Sequence, residues 1–360
     1  MINDEHSKAT NYDEAYEKPR VNLSYANETH KIEQKQRRSV RNGINAIVSF
    51  IRTRFVSAIK VATASFIILA YPAMTVLGHQ IDDTGVEFSQ ARHWAVPDIG
   101  VAAILIAREL DGPGWVADKH PWHPQSRLTA LPAWQQGLIT GLSDHGRLIL
   151  DVLEQGPDQD LIAAVRLLDI NPDHKTTDRL AAASEAFIRY DDRVAGGVAI
   201  APTGSDALIA RLTFSADQAG REYAQLAAIS NPGDGWLASD EAIESVYHAK
   251  AIAHVALAML EAVSQAESDL LADLKAEEKI ADVLSKWQSA AHMRPLFVAN
   301  QASRSISGTS HPAMMAFRLD QARLATLSLA AHLETMANER AEAAPDSPPL
   351  AAAIIPSDGG

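Results

Sequence analysis

The chain has 360 residues, of which 47% are hydrophobic and 21% charged, so it can bury a sizeable core and is not disordered throughout. Its 32 Lys+Arg against 45 Asp+Glu leave a net charge of −13, a poor balance for gripping phosphates, and no nucleic-acid partner is expected. The absence of cysteine excludes disulfides, thiolate metal sites and Cys nucleophiles.

Residues 1–40 are polar and lack apolar periodicity, which predicts a disordered cytoplasmic tail. Residues 41–60 place Ile44, Ile47, Val48, Ile51, Phe55 and Ile59 three and four apart, the pattern of an amphipathic juxtamembrane helix with Arg on its other face. Residues 61–78 (VATASFIILAYPAMTVLG) are 18 consecutive residues without a formal charge. At about 1.5 Å per residue they cover roughly 27 Å, close to the hydrocarbon thickness of a bilayer, so a transmembrane helix is expected with the lipid bilayer as its partner.

The flanks orient that span. Arg37, Arg38, Arg41, Arg52, Arg54 and Lys60 precede it, whereas His79, Asp82, Asp83 and Glu87 follow, with no Lys or Arg before Arg92. This positive-inside pattern puts the N-terminus in the cytoplasm. The long polar leader argues against a cleaved signal peptide. Residues 1–60 carry 11 Lys+Arg and 7 Asp+Glu, a balance of +4, while residues 79–360 carry 21 and 38, a balance of −17. Opposite signs on either side of one apolar run predict a single-pass membrane protein whose acidic domain, residues 79–344, is held outside.

That domain reads as helix after helix. Asp98 is expected to cap a helix carrying Ile99, Ala102, Ala103, Ile106 and Leu110. A loop rich in Pro, Gly and Trp follows from Gly112, and Pro132 is expected at the first position of a helix reaching about Glu154. Further helices are predicted at about 158–168, 177–194 and 204–229, with Gly196-Gly197 and possible extended chain at VAIAP (198–202) between the last two. Asn231-Pro232-Gly233-Asp234-Gly235 is a strong turn signal. Ser239 or Asp240 then caps a helix to about Gln265, and single helices are expected over 269–292 and 312–343, separated by an irregular loop at 294–310. Residues 345–360 are Pro-rich and predicted disordered. With no sustained period-two alternation, the fold class is all-α: one N-terminal transmembrane helix and a multi-helix periplasmic bundle.

Two constellations bear on chemistry. In WVADKHPWHP, His120 and His123 have a His-x-x-His spacing with Asp118 nearby, but Pro121 and Pro124 keep the pair off a helix and nothing fixes a third ligand. The loop is therefore read as a packing element, with no metal and no cofactor expected. On the helix from 240, Ile243, Val246, Tyr247, Lys250, His254, Leu257 and Leu260 share one stripe, so Lys250 and His254 interrupt an apolar face. A buried ammonium needs a carboxylate from another element; otherwise Lys250 snorkels to the edge of the bundle. No GxSxG, HExxH, P-loop or GxGxxG pattern occurs.

Three blocks carry a resemblance to a known family: ARELDGPGWVADKHPWHPQSRLTALPAWQQGL (107–138), GDGWLASDEAIESVYHAK (233–250) and MRPLFVANQASRSISGTSHPAMMAFRLDQAR (293–323). In this order they resemble the bacterial family known as domain of unknown function 2333. The chain departs from its pattern at Thr129-Ala130, where an acidic/Asn pair is expected. The resemblance implies an anchor in a bacterial inner membrane, a helical periplasmic domain at 79–344 and no known activity. Its polar matches are Arg108, Glu109, Gln136, Asp240, Lys250, Asn300, His311 and Arg323, the candidate site, and the resemblance of its block makes Glu109 the expected partner of Lys250. The expected function is non-enzymatic, a binding or scaffolding component of the cell envelope with a protein partner there. The alternative is an envelope hydrolase using carboxylates and His in a helical pocket.

Overall fold

The periodicity of the sequence emerges as helix in the computed structural model. It describes residues 35, 37–38, 41–42, 49–66, 81–86, 93–120, 122–123, 125, 128–153, 156, 158–169, 175–230, 238–294, 298 and 310–343. Most of the predicted N-terminal tail, residues 67–78 of the predicted span, the turn at 231–235, Asn300 and the C-terminal tail lie outside these residues. The chain divides into two units, residues 1–70 and residues 71–360, each described by itself.

In the first unit, residues 49–66 form one helix, α1. Phe50, Ile51, Phe55, Val56, Ile59, Val61 and Phe66 are all exposed along it. Thr53 Oγ1 donates back to the Ser49 carbonyl, and the Arg54 guanidinium lies 5.3 Å from the Phe50 ring centroid.

The second unit is all-α among its described residues. Its helices are α2 (Pro97–Asp111), α3 (Ala130–Val152), α4 (Gln159–Leu168), α5 (Thr176–Ala195), α6 (Gly204–Ile229), α7 (Asp240–Ala266), α8 (Ser268–Asp273), α9 (Glu277–Ala291) and α10 (His311–Ala343), with a 3-10 turn at Val116–Asp118. The start signal read from the sequence acts at α7, where Ser239 Oγ accepts from the Ala242 amide, and Asp158 caps α4 by accepting from the Asp160 amide.

Four local expectations need correction. Asp98 is not a cap: Pro97 already occupies the first turn of α2, and the Asp98 carboxylate is fully buried. Pro132 is not the first residue of its helix, because α3 begins at Ala130. Residues 198–203 form bends and irregular chain rather than a strand. The helix expected over 269–292 is two, broken at Leu274–Ala276 with Lys275 at φ +56°. Leu274 and Ala276 are buried in the core there, and that burial offsets the left-handed backbone of Lys275, which costs about 1–2 kcal/mol.

The spine of the unit is α7. One core cluster joins it to α2, α3, α4 and α5, and another joins it to α6, α9 and α10. Helix α7 is therefore apolar on nearly all sides, as a helix buried between two layers must be. Among the described residues it is the one helix long and apolar enough to cross a membrane, but 89% of its apolar window is buried inside the unit.

Helix α3 crosses α7 at Gly137 and Gly141, one turn apart. A Cβ on Gly137 would meet the His248 carbonyl oxygen at 2.4 Å, and one on Gly141 would meet the Val255 side chain at 3.2 Å. The absent side chains let the backbones approach and fix which α3 residues face Lys250 and His254. Gly137→Ala is expected to destabilise the unit by about 2 kcal/mol, since backbone cannot yield as a side-chain tip does. A urea midpoint unchanged from wild type would contradict the close crossing.

Candidate functional site

Lys250 lies on α7 facing inward, and its side chain is buried. Its Nζ donates to Asp83 Oδ2 at 2.7 Å, and no Lys250–Glu109 pair forms. A carboxylate partner from another element is present as the stripe required, but it is Asp83, 167 residues away. The same carboxylate accepts from Arg294 Nε at 3.0 Å and from the Arg294 Nη2 group. Burial alone would raise the Asp83 carboxyl; the hydrogen bonds from Arg294 and Lys250 outweigh it and hold it at about 2. Burial pushes the Lys250 ammonium down, and Asp83 only partly opposes the shift.

Asp83 belongs to residues 81–86, an irregular strip that runs over the helices. Arg108, at the end of α2, donates from Nη1 to the Thr84 carbonyl at 2.8 Å and from Nη2 to the Gly85 carbonyl at 3.1 Å. Its Nε lies 3.7 Å from Asp82 Oδ2. Asp82 in turn accepts from the Thr84 amide and hydroxyl, a local turn that shapes the strip. Ile81 and Val86 pack against the core at its two ends.

Beneath the strip lies Trp134 of α3. Its ring centroid is 5.6 Å from Lys250 Nζ and 5.3 Å from the His254 ring. Trp134 Nε1 donates to Glu109 Oε1 at 2.9 Å, and Gln135 Nε2 donates to Glu109 Oε2 at 2.9 Å. Gln135 also donates to the Gly114 carbonyl and accepts from the Val116 amide, tying the loop after α2 to α3. Burial raises the Glu109 carboxyl despite these donors. His254 is fully buried, and neither ring nitrogen has a hydrogen-bond partner. Burial, then the Arg108 charge, lowers it to about 4, so it is neutral at pH 7.

Of the candidate residues, Arg108, Glu109 and Lys250 therefore meet at one place. Gln136 does not: it is exposed, and the adjacent Gln135 faces inward, because neighbouring helical residues point about 100° apart. Asp240 is exposed in the first turn of α7, ten residues and about 15 Å from Lys250. His311 opens α10. Arg323 pairs with Asp320 at 2.7 Å on α10, against Gly220 of α6. Asn300 lies outside the described residues. In the Trp- and Pro-rich loop, Asp118 caps α5 by accepting from the amides of Thr176 and Thr177. Among the described residues no group of His and carboxylates has the arrangement of a metal site.

A second buried ion cluster joins α2, α3 and α6. Asp98 Oδ2 lies 2.9 Å from Arg211 Nε and 3.1 Å from His145 Nε2, and Arg211 Nη2 donates to the Pro202 carbonyl. Burial would raise Asp98, but the Arg211 charge and the His145 hydrogen bond hold it far below the usual carboxylate range. The sequence reading missed this cluster, Asp83, Trp134 and Arg294. Asp83 was visible only as a charge flanking the predicted span, and nothing in its local pattern marks it as buried.

Against known families, characterised proteins and solved structures, the chain has no match.

Proposed function

We propose that this chain is a single-pass inner-membrane protein with a cytoplasmic N-terminus and a helical periplasmic body that binds or organises another envelope protein without catalysis. The observation that carries the reading is α1. Seven large apolar side chains stand exposed on it, a surface that water disfavours and lipid accepts. The helix leads into the uncharged run at 61–78, and basic residues precede that run. The resemblance to the family of domain of unknown function 2333 supports the same arrangement.

The polar cluster supports a non-catalytic role. Both oxygens of Glu109 accept from Trp134 and Gln135, and Asp83 is held by two cations. A hydrolase needs an acid and a base free to exchange protons with a substrate. These carboxylates are committed to internal donors instead.

Fusions made after residue 90 test the topology. Alkaline phosphatase placed there is expected to be active, and a fluorescent protein that matures only in the cytoplasm is expected to be dark. The reverse pattern would overturn the anchor, the orientation and the envelope assignment together.

A further inference from the structure

Cations from three separate elements read the strip at 81–86. Lys250 of α7 and Arg294, beyond α9, take the Asp83 carboxylate; Arg108 of α2 takes two consecutive carbonyls. Among the described residues no acid of α2–α10 pairs with Lys250 or Arg294, since Glu109 is bound to Trp134 and Gln135. Apart from the strip, the helices present a cationic groove. It is floored by the Trp134 ring and by His254, whose two ring nitrogens are buried without partners. We propose that this groove is a recognition site for an extended acidic peptide segment of a protein partner, and that residues 81–86 occupy it in cis as a built-in ligand.

The inference rests on the binding role above and names the partner's chemistry. A peptide fits better than a free anion because the groove reads main chain as well as charge. The Arg108 fork spans the carbonyls of Thr84 and Gly85, which a phosphate ion does not offer. The occupant also has apolar anchors, Ile81 two residues before the buried acid and Val86 three after. A partner is thus expected to present an acid flanked by apolar residues in extended conformation. The acidic balance of residues 79–360 disfavours a nucleic acid as occupant.

A segment tethered close to its site competes at an effective concentration of order millimolar, so a partner's segment binds the resting protein weakly. Neutralising Asp83 weakens the competitor while leaving the three cations in place.

The test uses the full chain in detergent and a fluorescent hexapeptide with the sequence of residues 81–86. Asp83→Asn is expected to bind it at least tenfold more tightly than wild type. The gain is expected to vanish with Lys250→Gln added, or when the peptide's second aspartate is replaced by asparagine. A folded Asp83→Asn protein that binds no better than wild type overturns the proposal. Should Asp83→Asn fail to fold, hydrogen exchange of the wild-type protein decides. Millimolar acidic peptide is expected to speed exchange of the amides at 81–86, and unchanged exchange overturns the proposal. Equal displacement by inorganic phosphate at the same concentration overturns the peptide assignment. None of these failures affects the topology, which the fusions decide separately.

Discussion

Asp98→Leu is expected to lower the stability of the second unit by about 3–5 kcal/mol, as loss of one partner of a buried ion pair does. Asp98 is wholly buried, and Arg211 and His145 beside it are nearly so. Without the carboxylate, the Arg211 guanidinium keeps only the Pro202 carbonyl among the partners it has here, and the protein must bury an uncompensated charge or open to water. Asp98→Asn retains an acceptor and is expected to cost less. The double change Asp98→Leu with Arg211→Met removes both charges and is expected to recover part of the loss, because apolar residues of similar volume replace a buried pair at little net cost. Urea unfolding followed by the fluorescence of Trp134 and Trp287, both fully buried, measures each variant. A single-variant loss below about 1 kcal/mol, the value of a surface pair, would mean that water reaches the cluster.

The second large effect is acid destabilisation through His254. Its ordinary pKa of 6.5 falls to about 4 in the fold, so the unfolded chain takes up a proton that the folded chain refuses. The stabilisation is complete above pH 6.5 and is lost as pH falls from 6.5 towards 4. At 1.36 kcal/mol per unit, the loss is about 3 kcal/mol. The groups whose charges act on the ring are Arg108, Asp83, His292 and Lys250. Asp83, lowered from 3.8 to about 2, is stabilising above pH 3.8, and its contribution fades below that, after the His254 window has closed. Glu109 runs the other way: its raised pKa costs stability as pH rises above its ordinary 4.5. The His254 contribution is therefore read as the difference between wild type and His254→Leu. The variant is expected to lack the slope between pH 6.5 and 4 and to be no less stable at neutral pH, since it removes two unsatisfied buried nitrogens. Parallel stability curves for the two proteins would contradict a neutral buried His254.

The sequence alone determined what depends on near neighbours. Helix α6 runs over 204–229 as its periodicity predicts, and Ser239 caps α7 as its chemistry predicts. The burial of Lys250 and His254 was also legible, because a stripe at three- and four-residue spacing turns one face inward whatever covers it. Only the tertiary structure decided what the covering was. Lys250 needed an acid, and Asp83 and Glu109 were chemically equivalent until packing chose between them. Glu109 lies against Trp134 and Gln135, while Asp83 arrives on a strip with no periodicity of its own. The inward glutamine was likewise decided at Gly137, where α3 meets α7 and turns Gln135, not Gln136, to the interior. Asp98 resembles a cap in sequence because Asp before an apolar run is a good cap; an arginine 113 residues later makes it a buried ion instead. Helix signals act within about one turn, but the choice of ionic partner rests on contacts between residues far apart in the chain, and no local pattern records them.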